Sequence, residues 1–376
     1  MEINLRKLLL LYIIILVTLP LAVCDKNPVV AEDKKDETDT PNGWSVYTID
    51  PSGGRATSIA SDSHNNVHIS YYNDIEEAIK YAINRSGNWE SVQLDKNPKN
   101  HYCLIFSSIA IDKMDNIHIS YSKCGNMIDI EPGVRGYDND LYYATNSSGS
   151  WEITCVDSQG SAGSYNALSI DNNGKIHIAY DEELSKVLKY ATNLSGVWKT
   201  SVIANEYATE MKIAIDSYNN IHISYLNHSN KNLKYATNLG GIWKTYTLDF
   251  NSGWDNDIAI DSHNNIHISH FTETPFALKY TENVNGNWIT HIIEEEIDWF
   301  TSIAIDSSDK IYISCFDNNS YDLKLISNIN GFWETLVINS HDDVGRYNDI
   351  TIDRNNKLHI SFYDVWNHSL KYATNR

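Results

Sequence analysis

The chain ends on LKYATNR, residues 370–376. The same phrase occurs earlier as LKYATNLSGVW (188–198) and LKYATNLGGIW (233–243), where a Gly turn and a Trp follow it. The last copy stops before its Gly and Trp, and NGWSVYTID (42–50), far upstream, supplies the missing remainder. Joining the two ends restores one more copy of a repeated unit. The placement of this stretch therefore decides between an open array and a closed ring.

Working outward, a hydrophobic–His–hydrophobic–small strand recurs as VHIS at 67, IHIS at 117, IHIA at 176, IHIS at 221 and 266, IYIS at 311 and LHIS at 358. Ahead of each stands a short strand ending in Asp62, Asp112, Asp171, Asp216, Asp261, Asp306 or Asp353. Behind each comes an LKYATN-like strand, then a turn and a Trp that opens a fourth strand: Trp89, Trp151, Trp198, Trp243, Trp288 and Trp333, with Trp44 for the last. Four alternating strands in a unit of about 45 residues are the signature of a β-propeller blade. The expected fold is all-β, a seven-bladed propeller over 42–376, its ring closed by strand 44–49 completing the last blade. Such closure leaves no unpaired blade edge between the termini. Three residues after each Asp stands Asn65, Asp115, Gly174, Asn219, Asn264, Asp309 or Asn356. Gly, Asn and Asp tolerate the left-handed backbone that a tight hairpin needs.

The first 24 residues read as an export signal. Arg6 and Lys7 precede an apolar run from Leu8 to Leu19 that is short for a bilayer span. LAVC (21–24) resembles a lipobox ending at Cys24, although Val23 departs from the usual small residue; a plain cleaved signal and an uncleaved anchor are the alternatives. Each places the chain outside the cytoplasm, at the cell surface or secreted. Residues 25–41 are charged and without periodicity, so a disordered linker is expected. The formal charge of −20 excludes phosphate-tracking nucleic-acid binding and adhesion to anionic lipid, leaving a lipid anchor as the membrane contact. A monomer is expected.

Residues that every blade shares are read as scaffold. The histidines His68, His118, His177, His222, His267 and His359, with Tyr312 in the sixth blade, sit on separate sheets about 10 Å apart. They cannot share one ion and are expected to hydrogen-bond within or between blades. The turn tryptophans are read as packing against the outermost strand. No metal, cofactor or motif for a nucleophile elbow or phosphate loop is called for.

Function is sought where the copies disagree. Three residues before the first-strand hydrophobic stand Ala56, Phe106, Tyr165, Glu210, Asp255, Phe300 and Tyr347. One residue further back come Arg55, Ile105, Ser164, Thr209, Trp254, Trp299 and Arg346. Tyr102, Glu206, Tyr207, Asp298 and Trp366 fall on the same face. Aromatics beside carboxylates and arginines suit sugars, whose aliphatic faces stack on rings while hydroxyls meet polar groups. Protein hot spots use the same residue types, and Phe106 and Phe300 have a bland alternative as plugs of the funnel. The ligand set read from the sequence is Arg55, Tyr102, Tyr165, Tyr207, Glu210, Trp254, Asp255, Trp299, Arg346, Tyr347 and Trp366.

The second blade carries a long loop, 122–140. A disulfide between Cys103 and Cys124 would pin it, which extracellular residence permits. Asp129, Glu131 and Asp138–Asp140 are oxygen-rich, and a solvated acidic loop is the expectation there rather than a calcium site.

The repeat resembles surface propellers of bacteria and archaea, distantly like sialidase-type and NHL-type blades. The resemblance implies fold rather than chemistry. Sialidase turns read Ser-x-Asp-x-Gly-x-x-Trp, whereas TNLSGVW (192–198) lacks the Asp and is shorter. Sialidases also imply three arginines around the substrate carboxylate; Arg55 and Arg346 are at funnel positions, with Arg135 in the insertion as a third. The reading is a non-catalytic recognition module for glycan or protein. The alternatives are a glycoside hydrolase with Glu210 and Asp255 as the carboxyl pair, a polysaccharide lyase for which His101–Tyr102 and His270–Phe271 are weak pairs, and a structural envelope protein.

Overall fold

The structure, a computed structural model, describes residues 29–30, 38–40, 42–97, 105–131, 134–295, 299–340 and 343–375. The export signal with Cys24, and Tyr102, Cys103, His101 and Asp298, lie outside the described residues.

Seven antiparallel sheets follow one another along the chain, each with its four repeat strands in sequential order. The third is representative, with Ala162–Ile170, Ile176–Glu182, Val187–Thr192 and Lys199–Ala204 side by side. The first strands touch in succession and the last, Val344–Ile352, packs against Arg55–Ser61 of the first blade, so the array is a closed ring. The seventh blade is completed as the sequence requires: Trp44–Asp50 pairs with Ser369–Asn375 in the register Trp44↔Asn375, Val46↔Ala373 and Thr48↔Lys371.

Two short strands fall within the segment expected to be an unstructured linker. Val29–Val30 adds to the outer edge of the first blade opposite Glu90 and Ser91, and Thr38–Asp39 adds to the seventh opposite Ser45 and Val46. The physical reason is the outer edge itself, where a fourth strand presents unpaired amides and carbonyls to any extended chain nearby.

The core is a set of layers between neighbouring blades. The central residue of each second strand, Ile69, Ile119, Ile178, Ile223, Ile268, Ile313 or Ile360, is fully buried. Each such side chain contributes about 1.5–3 kcal/mol by leaving water. Six of the seven tryptophans stand edge-on to the Tyr of the preceding blade's third strand, as in Trp198 on Tyr143, Trp243 on Tyr190 and Trp288 on Tyr235, while Trp44 shares a core cluster with Leu325. The tryptophans thus brace neighbouring blades.

The histidines are scaffold, and their partners are visible. His222 Nδ1 lies 2.5 Å from the Tyr235 hydroxyl, and its Nε2 lies 3.4 Å from Asp216 Oδ2. The same chain of Asp, His and Tyr recurs through His68, His118, His177, His267 and His359. In the sixth blade both partners change together: Leu325 stands in place of the Tyr, and the Tyr312 hydroxyl donates directly to Asp306 at 3.1 Å. Burial lowers the pKa of His68, His118, His177, His222 and His359 against the pull of their aspartates.

The first turns are left-handed at all seven positions named from the sequence. Each Asp accepts the turn amides; Asp216 Oδ1 takes those of Tyr218 and Asn220 at 2.9 and 2.7 Å. The left-handed residue does a second job. Its side chain accepts an amide from the neighbouring blade, as in Asn172 to Asn219, Ser217 to Asn264 and Arg354 to Asn65. At the single glycine, Gly174, no such acceptor exists, and there Lys113 Nζ reaches across to the Asn172 carbonyl at 2.8 Å.

Candidate functional site

The loops that lead into the first strands open on the opposite face. There the sheet register shifts by a bulge, between Arg55 and Ser58, Thr209 and Lys212, Trp254 and Asp257, and Arg346 and Asp349. A bulge bends the strand and re-aims one side chain. Ala56, Glu210, Asp255, Phe300 and Tyr347 consequently adopt positive φ between 44° and 53°. A non-glycine residue in that region costs about 1–3 kcal/mol, a strain that clusters at ligand sites.

The bulges deliver the residues to one place. All seven variable positions, Ala56, Phe106, Tyr165, Glu210, Asp255, Phe300 and Tyr347, line a single axial cavity of about 490 Å³, joined by Trp254 and Trp299. Phe106 and Tyr165 stack at 4.8 Å between centroids, and Phe300 meets Tyr347 at 4.6 Å. Trp299 keeps 48% of its surface exposed at the mouth.

The charged groups that line the cavity, Glu210, Lys212, Asp255 and Glu273, all come from the fourth and fifth blades. Glu210 Oε2 accepts the Asp255 amide at 2.7 Å. Burial, then the Asp255 charge, push the Glu210 pKa up to about 8, and burial pushes Asp255 up to about 6. One step deeper, at the next ring of first-strand positions, Lys212 faces Asp257 and Asp349, with Nζ 3.8 Å from Asp349 Oδ1. Burial opposes its charge, and Asp257, Asp349 and Asp255 outweigh that, raising its pKa. Ser302 Oγ lies 2.7 Å from an oxygen of each aspartate, bridging the two, so this polar layer is tied together beneath the cavity. Lys212 and Glu273, which line the cavity, were missed in the sequence, as was Asp257 beneath it. The signal was present: one position before the first-strand hydrophobic reads Ser58, Ser108, Ala167, Lys212, Asp257, Ser302 and Asp349, a second variable ring.

The remaining named residues stand away from the cavity. Arg346 is held in a fork by Asp343, with Nε and Nη2 at 3.0 and 2.9 Å, and lies over the Phe316 ring. Arg55 sits over Tyr363 with Asp74 at 3.6 Å. Both arginines are engaged by local acids and rings, and among the described residues no arginine lines the cavity. Tyr207 lies against His228, with Glu206 and Glu183 nearby serving Asn227 and Tyr207 itself. Trp366 is 73% exposed in a loop and does not line the cavity either. His270 is fully buried between Ser252 and Thr281, which removes it as one of a catalytic pair. Cys124 is disulfide-bonded, its partner outside the described residues, while Cys155 and Cys315 are free.

No protein-family model and no curated relative matches the sequence. Solved structures share the fold. An ulvan lyase from a new polysaccharide-lyase family superposes with a TM-score of 0.62 at 10% identity, covering 86% of this chain and 94% of that one. The polysaccharide lyase Uly1 gives 0.52 at 12% identity, over 88% and 91%. A fucose-bound lectin of Aleuria aurantia also gives 0.52 at 12%, over 78% and 98%. At these identities the likeness is one of architecture: this chain is a seven-bladed propeller built like those of carbohydrate-directed proteins.

Proposed function

We propose that the funnel is the recognition site for a glycan on an exported protein, with Tyr165, Trp254, Trp299 and Tyr347 as stacking surfaces and Glu210, Asp255 and Glu273 as hydrogen-bond acceptors for hydroxyls. The observation that carries this reading is convergence. Seven positions that no blade rule constrains meet in one cavity, and six of the residues around it are aromatic. A concave site with apolar walls and a few polar groups on one side is the usual form of a small-ligand pocket. The propeller neighbours include both a lectin and lyases, which supports a carbohydrate partner. A glycan array, followed by titration calorimetry on the hits, tests it: wild type binds, and Trp254→Ala with Trp299→Ala removes binding.

A second reading rests on Glu210. A carboxyl still protonated near neutral pH, next to an Asp that ionises first, is the pairing a glycosidase uses to protonate a leaving oxygen while its neighbour serves as base or nucleophile. Incubation with the array hits and analysis for new reducing ends separates the two. Product formed by wild type and lost in Glu210→Gln establishes hydrolysis; intact ligand recovered at full binding establishes recognition.

A further inference from the structure

The charges facing the cavity are lopsided. Glu210, Asp255 and Glu273 line it and Asp257 and Asp349 lie at or below its floor, against Lys212 and Lys231. Lys212 is committed to the carboxylates beneath. Lys231 places its ammonium 4.3 Å from the centre of the Trp254 ring. The chain itself thus sets a primary ammonium against a funnel aromatic, the arrangement by which π faces hold cations. The nearby arginines, Arg55 and Arg346, are taken up by Asp74 and Asp343.

We infer that the funnel selects glycans that carry a free primary ammonium, amino-sugar units, over their N-acetylated and acidic counterparts. This rests on the glycan reading above and narrows it. Glu210 and Asp255 line the cavity and receive backbone amides of Asp255 and Phe300, and the nearby Lys231 and Lys212 do not bring either carboxyl back to its usual pKa. An incoming ammonium supplies three donors and a further positive charge. A uronate or sialate would bring another carboxylate toward Asp255 and Glu273, with no arginine lining the cavity among the described residues to receive it, and like charges in a poorly solvated site repel strongly. A metal ion is a poorer occupant. The two places where three ligating side chains converge within 4.8 Å among the described residues, Asp62 with His64 and Asp115 and Asp261 with His263 and Asp309, are in the first turns on the opposite face.

Binding of a cation has a proton signature. Glu210 holds its proton near neutrality because burial and the Asp255 charge disfavour ionisation. An ammonium reverses that balance, so at pH 6.5 its arrival expels the proton to buffer. Of the neighbouring groups, Lys212 stays charged, Tyr165 and Tyr347 are pushed upward by burial and remain neutral, and Asp255, raised to about 6, adds proton release of the same sign.

The test is calorimetry on the full-length chain at pH 6.5 in two buffers of different ionisation enthalpy, with the glucosamine tetramer, the N-acetylglucosamine tetramer and the galacturonic acid tetramer. The expected result is at least tenfold tighter binding of the amine, with proton release that the N-acetylated probe does not show. In Glu210→Gln with Asp255→Asn the ratio of amine to N-acetylated affinity falls to within twofold, whatever the change in absolute affinity of either probe. Should that variant not fold, the proton count on the unmodified protein decides alone. Equal or tighter binding of the N-acetylated or uronate probe overturns the charge selection and leaves the glycan reading standing. No binding by any of the three overturns this inference, and an empty glycan array overturns the reading beneath it.

Discussion

On the face made by the first turns, Asp62 and Asp171 are buried and Asp112 and Asp261 half-buried, and all four hold their pKa values below the usual carboxylate range, because turn amides and Asn or His side chains outweigh desolvation. On the funnel face, Glu210 takes the Asp255 amide and Asp255 that of Phe300, Asp257 faces Asp349, and desolvation wins, lifting all three. Both faces belong to the same strands, a few residues apart. The first holds its carboxylates in the charged form through turn amides; the second sets carboxyls around a cavity, where desolvation disfavours their charge. That contrast separates scaffold from site more sharply than residue type does, since Asp serves both.

The comparison is broken most severely at the closing strand. Deleting 44–50 removes the buried Trp44, Val46 and Ile49 and the acceptor of the Tyr71 hydroxyl and the Lys80 ammonium, Asp50. The expected outcome is loss of a cooperative melting transition by circular dichroism. Survival of a sharp transition would show that the ring does not need its latch.

Within the scaffold, His222→Leu leaves the Tyr235 hydroxyl and Asp216 without their shared partner, and a loss of about 2–3 kcal/mol follows from stranding buried polar groups. The sixth blade sharpens this. Converting Tyr312→His together with Leu325→Tyr rebuilds the pair and should recover about 1 kcal/mol or more relative to the sum of the single changes, read from a double-mutant cycle in urea. A smaller effect is expected at the turn. Asn219→Ala loses the bond to Asn172 and strains a left-handed backbone, about 2 kcal/mol, whereas Asn219→Gly keeps the backbone and loses about 1 kcal/mol.

The two faces also respond oppositely to pH. The turn aspartates, depressed in the folded state, contribute stability above their unfolded pKa that is lost as pH falls through the folded values. Glu210, raised in the folded state, contributes stability that is present below its unfolded pKa and lost as pH rises through about 8. Glu210→Gln should therefore match wild type in melting temperature near pH 4 and exceed it at pH 9. A variant no more stable than wild type at pH 9 would remove the claim that this carboxyl is held against its preference.

Much of the ring was legible in the residues. Seven copies, the closing role of Trp44–Ile49 and the left-handed turns follow from spacing and from the restriction to Gly, Asn and Asp. The cavity-lining ring from Ala56 to Tyr347 was legible because repeats make departures visible. What escaped was pairing across space. The histidines were known to need partners, yet only the joint change to Tyr312 and Leu325 in one blade pointed to the third-strand Tyr, and Gly174 beside Lys113 was the matching hint for the inter-blade latch. For Arg55 and Arg346 a sequence places a guanidinium at a position without showing its pairing with Asp74 or Asp343.

The most direct measurement of this division compares melting temperature and glucosamine-tetramer affinity on the same preparations of wild type and the Trp254→Ala, Trp299→Ala double variant. Both side chains face the cavity and Trp299 is half exposed, so melting is predicted to stay within about 4 °C, equivalent to roughly 1–2 kcal/mol, while affinity falls at least a hundredfold. Affinity retained, or a ring that no longer folds, would contradict the account.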